Sequence, residues 1–87
     1  MLQLFVSNFG FNVQDEDLRD FFTPFGEVIS AEVLTDIFTG TSRGCGYVVM
    51  KEVKAARKAM TSLRDLQVDR NLVRIQEANA GKENSKP

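Results

Sequence analysis

Arg43, Cys45 and Tyr47 occupy alternate positions of the stretch SRGCGYVVM, and Phe5 stands between Leu4 and Val6 near the start of the chain. On an extended chain residues two apart share a face, so a cation, a thiol and a ring line one side of this stretch. Gly46, Val48 and Met50 line the other. Two flat rings accompanied by Arg43, Arg74 and the amides of Gln3 and Gln76 would suit one kind of ligand. Rings stack on nucleobases at about 1–3 kcal/mol per base, amides read base edges, and cations meet phosphate. Cys45 adds no chemistry of its own. It is the single cysteine of a chain without histidine, so no partner thiol or imidazole activates it, and it reads as a space-filling residue.

The composition narrows the alternatives. Eighty-seven residues with 43% hydrophobic content build one core and one domain. A lone cysteine makes no internal disulfide, which points to a reducing, intracellular setting: nuclear, cytoplasmic or organellar. No stretch reaches the ~20 apolar residues of a membrane helix, and the chain does not open on a secretory leader, so a soluble domain away from membranes is expected. Without histidine or a second cysteine, the commonest zinc ligands and the commonest general base are missing. No metal, cofactor or catalytic residue is expected, and the chain is not read as an enzyme. The carboxylates Asp15, Glu16 and Asp17 read as helix-dipole partners rather than as a site. A net charge of −1 exerts no global pull on a polyanion, so contact with nucleic acid would have to be local.

The elements that must position these groups follow from periodicity. LQLFVS (2–7) alternates, with Leu2, Leu4 and Val6 inward and Gln3, Phe5 and Ser7 outward. VQDEDLRDFF (13–22) carries apolar residues at helical spacing and stops before Pro24 and Gly26. EVISAEVLT (27–35) is a second strand, DIFTGTS (36–42) a turn-rich connection, and Gly44 to Met50 a third strand. KEVKAARKAMTSL (51–63) places Val53, Ala56, Met60 and Leu63 on one helical stripe, leaving Lys51, Lys54, Arg57 and Lys58 as a solvated face. NLVRIQ (71–76) is a fourth strand with Val73 and Ile75 inward, and the polar residues 79–87 read as a disordered linker. The order β-α-β-β-α-β predicts an α+β, ferredoxin-like βαββαβ sandwich: a four-stranded antiparallel sheet with two helices on one face. Its first and third strands are central, so Phe5 and Tyr47 become neighbours on the face that no helix covers, with Val49, Leu34 and Leu72 beside them.

LFVSNF (4–9) and RGCGYVVM (43–50) resemble the RNP2 and RNP1 motifs of the RNA recognition motif (RRM) family. The likeness extends over residues 2–78 through DLRDFFTPFGEV and the TSRG approach to the third strand. The resemblance implies that Arg43, Tyr47 and Phe5 contact RNA, that Gly44 and Gly46 hold the glycine positions, and that Gly46 leaves room for helix packing. Cys45 departs from it, standing where the family usually carries a third aromatic. Phe38, in the DIFTG connection, either tucks onto the sheet edge or supplies that ring; the second reading is preferred. The implied function is single-stranded RNA binding by a module of a larger RNA-processing or regulatory protein, monomeric as an isolated domain, its helical face free for protein partners. The competing reading is an RRM-like protein-interaction domain, favoured by the near-neutral charge and Cys45.

Overall fold

The computed structural model describes residues 1–64, 66–68 and 70–78. The expected linker, 79–87, lies outside them. In chain order the elements are β1 (Leu2–Ser7), α1 (Asp15–Phe22) continued by a 3-10 turn (Thr23–Phe25), β2 (Val28–Thr35), β3 (Ser42–Met50), α2 (Val53–Leu63), a short hairpin of β4 (Gln67–Val68) and β5 (Asn71–Leu72), and β6 (Arg74–Glu77). The main sheet has the order β2-β3-β1-β6 with every pair antiparallel. β1 and β3 are therefore central, as the βαββαβ plan requires.

The alternation of β1 is realised fully: Leu2, Leu4 and Val6 are buried, and Gln3, Phe5 and Ser7 are half-buried on the opposite face. Val48 and Met50 of β3 join Leu4 and Val6 in a core closed by Leu18 and Phe22 of α1, Ala56 and Ala59 of α2, and Phe9. Gly46 is obligatory at its position. A Cβ there would lie 2.3 Å from the Glu32 carbonyl oxygen, 3.0 Å from the Val33 Cα and 3.1 Å from a Leu18 methyl, so neighbouring strand and helix both occupy the space a side chain would need.

The acidic start of α1 does more than complement the dipole. Asp17 accepts a hydrogen bond from the Gln14 backbone N–H at 3.0 Å, capping the helix, and Asp15 accepts from the Val33 N–H of β2 at 2.8 Å, tying helix to strand.

Three expectations are corrected. On α2, Val53 is 36% exposed, whereas Ala56 and Ala59 are fully buried; the small alanines let the helix approach the strands, and its first residue projects beyond the contact. β3 begins at Ser42 rather than Gly44. The fourth strand is not continuous from Asn71: Asn71–Leu72 pairs with Gln67–Val68, and only Arg74–Glu77 pairs with β1. The Val73 N–H donates to the Leu66 carbonyl at 2.9 Å, which turns the chain between the two pairings. Leu72 is consequently exposed on the hairpin and not on the sheet.

Candidate nucleic-acid interface

Strand register arranges the helix-free face in rows. Glu32, Tyr47, Phe5 and Gln76 stand opposite one another across all four strands. Cys45, Ser7 and Arg74 form a second row, and Ser30, Val49 and Gln3 a third on the other side. Of the residues expected from sequence, Gln3, Phe5, Cys45, Tyr47, Arg74 and Gln76 therefore share this face. At the centre the Phe5 and Tyr47 ring centroids are 5.3 Å apart with planes inclined at 54°. Aromatic pairs favour such offset or tilted contacts. Both residues are half-buried, so their edges support each other while ring surface remains open to solvent. The tilt prevents one flat base from lying on both rings and instead offers two platforms.

Arg43 enters through a cleft at the end of the face, lined by Phe5, Phe11, Cys45, Asn71 and Arg74 among others. The β1–α1 loop forms its wall and is clamped from both sides. The Phe9 N–H donates to the Gly44 carbonyl at 3.2 Å, and the Asn8 side-chain amide donates to the Leu72 carbonyl at 2.8 Å. Gly44 has φ +75°, and a Cβ on it would press on the Gly10 backbone at 3.3 Å; the loop closes onto β3 because no side chain intervenes. Arg43 and Arg74 thus stand on one cleft with Phe11, a ring 70% exposed. The groove on the other side of Phe11 is lined by Asp15 and Glu16, so the two sides of this ring differ in charge.

Sequence reasoning missed Phe11 and Glu32. Phe11 lies in an aperiodic loop, and only the clamp shows that its ring lines the cleft beside Cys45. Glu32 is exposed and is the acidic member of the Tyr47 row; among the described residues its side chain has no hydrogen-bond or ion-pair partner. Phe38 is 89% exposed, which removes the reading in which it tucks onto the sheet edge. Its loop is organised by Asp36, whose carboxylate accepts from the Phe38 and Thr39 N–H groups at 2.8 and 3.2 Å. On the helical side, Arg57 of α2 pairs with Glu77 at 3.2 Å, which draws one cation of that face into an internal contact.

The sequence model described as "RNA recognition motif" matches residues 4–74. A glycine-rich RNA-binding protein of Arabidopsis thaliana, number 8 of its series, is 34% identical over 76 residues, covering 87% of this chain and 45% of the relative. The chain thus spans less than half the length of that relative. Among solved structures, one described as RNA Binding Protein PG1 superposes with a TM-score of 0.87 at 35% identity, covering 91% of this chain and 95% of the other. The second RRM domain of the yeast poly(U)-binding protein superposes with a TM-score of 0.81 at 36% identity, covering 90% and 94%.

Proposed function

The chain belongs to the RNA recognition motif family, and from that premise we propose that residues 2–78 are a single-stranded RNA-binding module that holds bases on its helix-free sheet face. The observation that carries this reading is the Phe5–Tyr47 pair at the centre of that face, flanked in register by Gln76 and one row from Arg74. One base stacks on each ring, Gln3 and Gln76 offer amides to base edges, and Arg43 and Arg74 meet phosphate at the cleft. Phe11, on that cleft, supplies the aromatic surface that Cys45 does not. Phe38 remains available to a strand that continues over the β2–β3 loop.

The module acts by binding and not by catalysis, within a longer intracellular protein of RNA processing or mRNA regulation. Glycine-rich RNA-binding proteins supply the precedent for a domain of this kind occupying part of a longer chain. Alone it is monomeric, with the helical face available to protein partners. The test is titration of labelled protein with short U-, A-, C- and G-containing oligonucleotides, followed by NMR. Shifts centred on the open face and its cleft, at Gln3, Phe5, Phe11, Glu32, Arg43, Cys45, Tyr47, Arg74 and Gln76, are expected. Shifts confined to α2, or none with any oligonucleotide, would leave the open face to a peptide partner.

A further inference from the structure

Tyr47 is bounded on one side by the tilted ring of Phe5 and on the other by Glu32, each directly opposite it in register. Directly opposed residues of an antiparallel pair carry Cβ atoms only about 4.5–5.5 Å apart. A base lying on Tyr47 therefore presents its edge to the Glu32 carboxylate, which is exposed and unpaired among the described residues. Among the described residues, only Arg43 and Arg74 supply charge to the cleft at the end of the face, so a carboxylate in the central row works against phosphate there. Its chemistry suits a base edge instead.

We infer that Glu32 selects the base stacked on Tyr47, favouring guanine and disfavouring uracil; this rests on the RNA-binding reading and deepens it. An ionised carboxylate only accepts hydrogen bonds. Guanine offers two adjacent, parallel donors, N1–H and the N2 amino group, which match its two oxygens as a fork. Adenine and cytosine each offer one amino group beside an acceptor. Uracil offers a single N3–H between two carbonyls, whose lone pairs face the carboxylate unfavourably. Unstacked bases of single strands expose these edges for such readout.

The test uses four heptamers, UUUNUUU with N as each base, bound to wild type, Glu32→Gln and Glu32→Ala and read by fluorescence anisotropy. One guanine per strand avoids self-association, and circular dichroism checks that the variants fold. Wild type should bind the guanine heptamer roughly tenfold more tightly than the all-uridine one, and both variants should lose most of that ratio. The all-uridine heptamer should bind the variants more tightly than it binds wild type. Equal gains for all four strands in both variants would reduce Glu32 to a source of repulsion and overturn the inference while the RNA-binding reading stands. Equal wild-type affinity for the four strands would do the same. Absence of binding to every strand would overturn the RNA-binding reading, and the inference with it.

Discussion

Phe5 and Tyr47 face each other across the β1–β3 ladder with ring centroids 5.3 Å apart and planes tilted by 54°. The pair supports itself and leaves two separately inclined rings partly open to solvent. Phe5→Ala and Tyr47→Ala should each weaken RNA binding by about 1–3 kcal/mol. Because the rings also touch, the double variant should depart from additivity by an interaction of roughly 0.5–1.5 kcal/mol in folding stability. Anisotropy and urea melts on the four proteins of the cycle measure both effects. Loss of folding without loss of affinity in the folded fraction would place the rings in the core instead.

Gly46→Ala should damage the fold itself. Its Cβ would meet Glu32 and Val33 backbone and Leu18 at once, and strands cannot shift apart without breaking the ladder. A loss of roughly 3 kcal/mol or more is expected in urea unfolding. Gly40→Ala is the control: φ is +76° and, among the described residues beyond its chain neighbours, nothing lies within 4 Å of the added Cβ, so only backbone strain of about 1–2 kcal/mol applies. Equal losses in the two variants would mean that the space above Gly46 can relax.

How far the chain could be read beforehand depended on whether one face of each element was buried. β1 is central, and its strict alternation places Phe5 correctly without further information. β2 breaks the rule. Val28 and Val33 are both buried, although they differ in period-two parity, because the register shifts between Val28 and Ser30 and turns Ile29 outward. Glu32 shares Leu34's parity and so its face, but its place opposite Tyr47 is a matter of register, which no pattern along β2 announces. The hairpin β4–β5 is two residues per strand, too short to show a period, so NLVRIQ reads as a single strand. Phe11 needed the tertiary clamp of Phe9 on Gly44 to acquire a position. Register and loop closure are long-range facts, and periodicity is local.

Salt dependence should be shallow. Among the described residues, Arg43 and Arg74 are the cations on the cleft, and each phosphate neutralised on a single strand contributes about −0.7 to the slope of log K against log salt. Two or three contacts give a slope of roughly −1.4 to −2, and Arg43→Gln or Arg74→Gln should each reduce its magnitude by about 0.7. Lys54→Gln and Lys58→Gln should leave it unchanged. A steep slope removed by the helix substitutions would move the RNA to the other side of the domain.

Phe11→Ala and Phe38→Ala separate the two exposed rings. Both side chains are largely in solvent, so folding stability should hold in each case. Phe11 shares its cleft with Arg43, Arg74 and Cys45, and its removal should weaken binding by about 1–3 kcal/mol on a strand of a few nucleotides. Phe38→Ala should matter only with longer strands that reach the β2–β3 loop. An effect of Phe38→Ala alone on the short strand would return the third stacking position to that residue.

Cys45→Phe brings the two ideas together. Cys45 is half-buried opposite Ser7 on the open face and lines the cleft that Phe11 walls. A ring placed there adds a stacking surface next to Tyr47, one row closer to Arg74. The new side chain must also be ordered, which costs roughly 0.5–1.5 kcal/mol, so the net gain in affinity should be near 1 kcal/mol. Where Phe11 already holds the base, the gain is partly redundant. Cys45→Phe should therefore help more in the Phe11→Ala background than in the wild type, restoring most of what that substitution removes. Folding should survive, since the position faces away from α1 and α2. Anisotropy on one short strand with the four proteins of this cycle decides the point. Strictly additive effects would show that Phe11 and residue 45 serve different bases, and weaker binding by a folded Cys45→Phe would mean that the cleft is already filled when RNA is bound.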